Sequence, residues 1–343
     1  MTTHALLLSG GRATRLRPLS DEVPKALMPL GPTCVFELQL LWLRQYGFTQ
    51  ITVAAGPATE AIAARFGTGT ELAVTLNYLP EPEPLGSGGV LRSAAAGWRE
   101  PFWVINGDVL ISLDLSAMAK RHAENRATAS IALVAVEDVR GFGVVKLGAG
   151  DEILRFIEKP EPENAPSNLI NAGVWRFDPE AVGLLPPTDF ASVESDLFPA
   201  IRKRGQRLQG FPIEGYWCDM GTPERYLRVA ADLVAGRLPT VGRWPAINAG
   251  RFIGEGTRIG TGATVAASLV GPRCDVAAGA MIERSVLWEE VTIESTVSVT
   301  DSIVGRGARI AAGVRVDGAV VGQRAEVMRD LTPGDQVPTD GHT

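Results

Sequence analysis

Leu6-Leu7-Leu8-Ser9-Gly10-Gly11-Arg12-Ala13-Thr14-Arg15-Leu16-Arg17-Pro18, followed by Pro24-Lys25, decides how this chain is to be read. The apolar run ending at Leu8 has the pattern of a buried parallel strand. Two glycines follow it, where the backbone can turn tightly and approach a ligand because no Cβ intervenes. Successive N–H groups in such a turn form an anion-binding concavity. Arg12, Arg15, Arg17 and Lys25 add positive charge nearby, and the planar guanidinium can grip two phosphate oxygens together. Neither G-x-x-x-x-G-K-[ST] nor G-x-G-x-x-G is present, so this is not a Walker or dinucleotide loop.

Working outward, Phe36 to Tyr46 reads as an amphipathic helix with Leu38, Leu41, Trp42 and Gln45 at helical spacing. Ile51 to Ala55 reads as a strand, Thr59 to Phe66 as a helix and Leu72 to Leu79 as a strand. This alternation predicts an α/β domain with a Rossmann-like, doubly wound, mostly parallel sheet. In such sheets ligands sit at the carboxyl ends of strands, where the glycine turn falls. Phe102 to Ile105 is a further buried strand, ending at Asn106-Gly107-Asp108. An acid there suits Mg²⁺, which prefers oxygen ligands and takes one or two carboxylates. The stretch Glu81-Pro82-Glu83-Pro84-Leu85-Gly86-Ser87-Gly88-Gly89 reads as an irregular loop whose glycines permit close approach. Helices are expected over 115–126 and 224–235, the second opened by Thr222-Pro223 as N-cap and first helical residue.

The glycine string resembles the signature of the sugar-1-phosphate nucleotidyltransferases, roughly G-G-x-G-T-R-L-x-P-L with a later P-K. Gly10, Gly11, Thr14, Arg15, Leu16, Pro18, Leu19, Pro24 and Lys25 match it, and Ala13 departs from the usual glycine. Further segments resemble the family in its own order. They are P-L-G-S-G-G from Pro84, G-D at 107–108, G-V-V at 143–145, E-K-P at 158–160, N-A-G at 171–173, S-V-E-S-D-L-F-P at 192–199 and G-Y-W-C-D-M-G-T-P-E at 215–224. The resemblance runs from residue 4 to about 235 and implies transfer of a nucleotidyl group from an NTP to a sugar 1-phosphate. It implies nucleotide contacts at Leu8, Gly10, Gly11, Ala13, Thr14, Glu81, Pro84 and Gly86. It implies sugar-phosphate contacts at Gly143, Glu158, Lys159 and Asn171, with Glu194 near the sugar. Catalytic roles fall to Arg15, Lys25, Asp108, Lys159 and Asp219, with Mg²⁺ as cofactor on Asp108 and Asp219. Glu81 stands where the family reads the base edge. A carboxylate only accepts hydrogen bonds, which matches the adjacent N1–H and amine donors of guanine and points to GTP. The pattern as a whole is most similar to the branch that acts on mannose 1-phosphate. Glucose-1-phosphate uridylyl or thymidylyl transfer, heptose-1-phosphate guanylyl transfer and a non-catalytic regulatory subunit are the alternatives.

The period then changes. Apolar residues fall at Ile253, Ile259, Val265; Val270, Val276, Ile282; Leu287, Ile293, Val299; Val304, Ile310, Val316; Val321, Val327. Steps of six, six and five make a coil of 17 residues, the mark of a hexapeptide left-handed β-helix of about five coils. Leu269, Val286, Ile303 and Val320, each just before the first position of a coil, are apolar as well. The expected organisation is a catalytic domain over 1–235, a linker over 236–249, a β-helix over 250–330 and a fraying polar tail over 331–343. Beyond His122 the one histidine is His342 in that tail, so the β-helix is expected to build a homo-oligomer rather than to carry an acyltransferase site.

The chain has 343 residues, 45% apolar and 21% charged, enough for two packed domains. A net charge of −6 argues against nucleic acid as a partner. Cys34, Cys218 and Cys274 are odd in number and far apart, which argues against a disulfide framework or zinc site and suits a reducing, cytoplasmic setting. No signal peptide or long apolar window appears, so a membrane is not an expected partner.

Overall fold

A computed structural model describes residues 4–11, 13–238 and 250–343. Arg12 and residues 239–249 of the expected linker lie outside the described residues. The chain groups into two compact units, one of residues 1–11 with 39–217 and one of residues 12–38 with 218–343.

The first unit is built on a mixed, mostly parallel sheet of nine strands among the described residues. Its strands are β1 Ala5–Leu8, β2 Gln50–Ala54, β3 Thr75–Tyr78, β4 Phe102–Asn106, β5 Ala129–Ala135, β6 Gly143–Leu147, β7 Ile153–Glu158, β8 Leu169–Phe177 and β9 Leu208–Pro212. The spatial order is β7-β6-β8-β4-β1-β2-β3, with β5 pairing with β8 and β9. β1 lies between β2 and β4 and is parallel to both, with Leu8 opposite Ala54 on one side and Asn106 on the other. Ala5, Leu6 and Leu7, which point to alternate faces of the sheet, are all fully buried, and burial on both faces accounts for the uniformly apolar sequence. Connections from β1 wind one way to β2 and β3, then return to β4 on its other flank. The β1/β4 junction is therefore a topological switch point, where open α/β sheets bind ligands. The register places Gly10-Gly11, Ala55-Gly56 and Gly107-Asp108 at one edge.

Four helices are α1 Val35–Gln45, α2 Thr59–Phe66, α3 Gly86–Ala94 and α4 Leu115–Glu124. In α1, Leu38 and Trp42 are buried as expected and Gln45 is exposed, while Phe36, Leu40 and Leu43 are fully buried too, so the apolar face is wider than the one expected. The stretch from Gly86 is also a correction, because it opens α3 rather than continuing a loop. A short helix α5, Phe198–Lys203, brings Phe198 against Trp175 and Phe177 of β8, with ring centroids 5.6 and 6.2 Å apart. These rings join Phe102 and Leu6 in the core of the unit.

In the second unit, helix α6, Pro223–Val234, starts as expected, with the Thr222 hydroxyl accepting from the Arg225 N–H at 3.4 Å. The β-helix follows. Its three faces are parallel ladders in which, up to the last coil, each residue pairs with the one 17 further on, as in Val270, Leu287, Val304 and Val321. The inward positions of the later coils are essentially sealed, whereas Ile259 in the first coil is 37% exposed because it has a neighbour on one side alone. Corners recur in the left-handed region at Gly256, Arg273, Glu290, Gly307 and Arg324. Buried Ser268, Ser285 and Ser302 form a hydroxyl ladder, each accepting the N–H of the residue one coil on.

The outward-facing Leu269, Val286, Ile303 and Val320 are buried too, because this face is covered within the unit. Gln323 Nε2 donates to the Leu19 carbonyl at 3.1 Å, the Arg324 guanidinium pairs with Glu22, and the Phe252 ring lies 3.2 Å from where a Gly31 Cβ would stand. The tail expected to fray over 331–343 is instead laid along the last coil. Val337 pairs with Val321, Leu331 and Val337 are buried, and Gly341 and Thr343 accept backbone bonds from Glu326 and Met328. Its few apolar residues fall where the coil needs them, which its polar composition hides.

Candidate functional site

Within the first unit, the glycine turn leaves β1 with the Ser9 N–H bonded to the Ala54 carbonyl at 2.7 Å. Gly11 has nothing within 4 Å of where a Cβ would stand, so its missing side chain opens onto free space. Gly10 faces the Glu81 carboxylate, whose Oε2 would lie 3.5 Å from a Cβ added there and 3.3 Å from one added at Gly56. The other oxygen of Glu81 accepts the Leu85 N–H at 3.1 Å. Glu81 therefore braces its own loop while its second oxygen lies beside the glycine turn.

Gly86, Gly88 and Gly89 also serve a packing contact that their sequence does not announce. Gly86 has φ +69°, and an added Cβ would meet the Ala191 carbonyl oxygen at 2.4 Å. Gly89 would meet the Asp189 carbonyl oxygen at 2.4 Å. The Gly88 N–H donates to Ala191 at 2.8 Å and the Ala191 N–H to Leu85 at 3.0 Å. These glycines let residues 189–191 lie directly on the helix start. Pro84 is exposed beside them.

Asp108 is half-buried in the turn after β4. Gly107 is obligatory there, since its N–H reaches the Leu8 carbonyl at 2.7 Å and a Cβ would fall 1.9 Å from Ser9 Oγ. On β8, the Asn171 side-chain oxygen accepts from the Gly173 N–H at 3.0 Å and the Trp175 indole at 2.8 Å. It thereby holds the bulge at left-handed Gly173, with the carbonyl end of the Asn171 amide committed to this local role. At the end of β7, Glu158 and Lys159 pair at 3.1 Å. Burial pushes the Glu158 carboxyl upward and the nearby Glu194 charge adds to this, while Lys159 opposes it. Gly143 is required by these residues, because a Cβ would stand 2.6 Å from Phe156 and 2.8 Å from Glu158 Oε2. Glu194 accepts from Ser87 at 2.7 Å and from Ser192 at 3.0 Å.

Within the second unit, Ala13 is in the left-handed region, φ 48°, and precedes a 3₁₀ turn over Thr14–Leu16. This accounts physically for the glycine expected there. Arg15 and Asp219 come together across Gly221, where an added Cβ would lie 3.0 Å from Arg15 Nη2 and 2.5 Å from Asp219 Oδ2. Asp219 is 7% exposed, and both of its oxygens accept from Arg225 Nη1 at 2.8 and 2.9 Å. Lys25 is half-buried at the start of the short turn Lys25–Leu27. Sequence reading missed Arg225, whose position in the first turn of α6 was the available signal.

The chemistry of Asp108 and of Asp219 fits a hard divalent cation, since carboxylate oxygens are what Mg²⁺ selects. Among the described residues no group of three or more His, Cys, Asp or Glu is gathered as a metal site. An ion completed by water and substrate phosphates needs no such group.

Two other constellations do not form sites. His122 joins Ser130 at 2.8 Å and Asp178 at 3.0 Å. Ser130 is 1% exposed, so this Ser-His-Asp set seals α4 against β5 and offers no accessible nucleophile. The three cysteines are buried and none is in a disulfide, and burial pushes the Cys218 thiol up to about 12 and that of Cys274 to about 11. No described helix is long and apolar enough to cross a membrane.

Comparison with known proteins accords with these features. Residues 4–236 match the family described as nucleotidyl transferase, and residues 240–332 match the domain described as EIF2B subunit epsilon LbH domain. The chain is 33% identical over 304 residues to a mannose-1-phosphate guanylyltransferase of Mycobacterium tuberculosis, covering 86% of this chain and 83% of that protein. It is 31% identical over 320 residues to a UTP–glucose-1-phosphate uridylyltransferase of Synechocystis, covering 83% and 82%. A solved structure of a putative glucose-1-phosphate thymidylyltransferase from Bacillus anthracis shares the fold, with TM-score 0.62 and 23% identity over 71% of this chain and 98% of that one. With the glycine turn at a switch point and the family matched across the whole wound sheet, the chain belongs to the nucleotidyl transferase family as a sugar-1-phosphate nucleotidyltransferase with a C-terminal left-handed β-helix.

Proposed function

We propose that this enzyme transfers the guanylyl group of GTP to mannose 1-phosphate, giving GDP-mannose and pyrophosphate. The observation that carries this reading is Glu81. Its carboxylate faces the glycine turn while one oxygen accepts the Leu85 N–H, and the family resemblance assigns this position to reading the base edge, which supports an acceptor-only contact there. Guanine presents two adjacent donors to such a group, and uracil does not. The similarity to the mycobacterial mannose-1-phosphate guanylyltransferase supports the same choice.

In the proposed reaction a phosphate oxygen of the sugar 1-phosphate attacks the α-phosphorus of GTP in line. A new P–O bond forms, the bond to the bridging oxygen breaks, and pyrophosphate leaves with that electron pair. The protein contributes positioning and charge compensation. Leu8, Gly10, Gly11, Ala13, Thr14, Pro84 and Gly86 frame the nucleotide. Arg15 and Lys25 compensate its phosphates. Lys159 takes the sugar phosphate, and Glu158, Asn171 and Gly143 bound the sugar. Asp108 and Asp219 are the carboxylates proposed to take Mg²⁺, which when bound neutralises phosphate charge and orients the phosphates.

The similarity to the Synechocystis uridylyltransferase favours a second reading, uridylyl transfer to glucose 1-phosphate. A pyrophosphate-release assay over four NTPs and a panel of sugar 1-phosphates decides between them. The highest kcat/KM is expected for GTP with mannose 1-phosphate. A higher value for UTP with glucose 1-phosphate would install the second reading.

A further inference from the structure

Gln39 is out of place on its helix. It is 2% exposed between Leu38 and Leu40, on a face of α1 that also buries Phe36 and Leu43. A buried amide must find partners. Gln39 Nε2 donates to the Asn106 carbonyl at 2.7 Å and to the Val109 carbonyl at 2.8 Å. These carbonyls bracket Gly107-Asp108. The same turn is pressed from its other side, where the Gly107 N–H bonds to Leu8 and its α-carbon lies against Ser9.

The amide orientation follows from its surroundings, because exchanging its O and N would set one oxygen against two carbonyl oxygens. As oriented, Gln39 Oε1 is buried with no partner among the described residues. The side chain thus strands an acceptor of its own while satisfying two others. What it adds that an apolar side chain would not is a fixed spacing between the Asn106 and Val109 carbonyls, and hence a fixed direction in which Asp108 leaves the turn.

We infer that Gln39 is a positioning residue for Asp108, holding its carboxylate in the geometry a divalent cation requires. The inference rests on the proposed role of Asp108 as a metal carboxylate. Residues that orient a ligand typically matter about 10–100-fold in metal affinity.

The test titrates Mn²⁺ into the full-length protein by EPR, with a non-transferable α,β-methylene analogue of the triphosphate it turns over. Gln39→Met is expected to weaken Mn²⁺ binding by about tenfold or more. Gln209→Met is the control for buried-amide loss. Gln209 is 1% exposed and its Nε2 likewise donates to backbone carbonyls, those of Gly150, Asp151 and Gly210. It is expected to lower the melting temperature while leaving Mn²⁺ affinity unchanged. Gln39→Glu keeps the shape with at most one donor and gives the same weakening should the methionine variant not fold. Equal Mn²⁺ affinity in the Gln39 variants and wild type, or an equal loss in Gln209→Met, overturns the inference. Asp108→Asn, run in parallel, separates the two levels. If it leaves Mn²⁺ affinity intact, the role of Asp108 falls and the inference with it. If it abolishes binding that Gln39→Met and Gln39→Glu leave intact, the inference alone falls.

Discussion

The Trp288 indole N–H donates to the Tyr226 hydroxyl at 3.0 Å, joining a β-helix coil to helix α6. That hydroxyl donates in turn to the Pro29 carbonyl, four residues beyond Lys25 in the signature segment. Burial holds the phenol far above its ordinary range, so it remains a neutral donor. Tyr226→Phe leaves one buried donor and one buried acceptor unmatched and is expected to lower stability by about 1–3 kcal/mol. Trp288→Phe is expected to be less damaging in the Tyr226→Phe background than alone, because the shared bond is already lost. Denaturant midpoints of the two single variants and the double variant measure this coupling.

Ala13 is strained by its left-handed backbone, and Ala13→Gly removes that strain. The relief exceeds the loss from a more flexible unfolded chain, so a gain of about 0.5–1 kcal/mol is expected. A higher urea midpoint with KM for the triphosphate unchanged or lower is the predicted result.

Gly11 and Gly86 should differ in what their packing tolerates. Gly86→Ala drives a methyl into the Ala191 carbonyl at an unfavourable φ and is expected to cost about 2 kcal/mol or more in thermal unfolding. Gly11→Ala meets nothing within 4 Å, so it should melt within about 1 kcal/mol of wild type. It should still lose turnover where substrate occupies that space.

The Cys218 thiol gives the protein an alkaline liability. Its pKa is about 9 when free and about 12 when folded, because burial disfavours the thiolate. Below pH 9 both states keep the proton. As pH rises from about 9 toward 12 the unfolded chain ionises first, so the stability this group protects is progressively lost. Urea midpoints at pH 7, 9 and 10 should fall, and Cys218→Ala should flatten that fall.

Glu81→Gln tests base choice directly. The amide offers a donor and an acceptor where the carboxylate offers acceptors alone. The ratio of kcat/KM for GTP over UTP is expected to drop by about tenfold or more. An unchanged ratio would remove Glu81 as the base reader.

Long-range regularity was legible in the sequence and local accommodation was not. The β-helix positions from Val265 to Val327 are buried as their spacing predicts, because the period repeats often enough to be unambiguous. Thr59–Phe66 also appears with the expected bounds. The roles of Gly86 and Gly89 were not legible, because their partners at 189–191 lie about a hundred residues away. Gln39 was hidden for the same reason, its meaning residing in the carbonyls of Asn106 and Val109. Corners at Arg273, Glu290 and Arg324 carry left-handed backbone without glycine, so no residue type marks them. Asp219 was singled out in the sequence, but its bonding to Arg225 is a property of the folded helix start.

The 17-residue ladder has a consequence for how this protein can change over time. Each coil adds one strand spacing, about 4.8 Å, to the stack. Insertion or loss of a whole coil between Thr264 and Gly318 would preserve every inward residue, yet would move Gln323 and Arg324 by that increment from Leu19 and Glu22. The stack is thus a ruler with graduations that evolution can add only in whole units, and the signature segment is the mark against which its length is read.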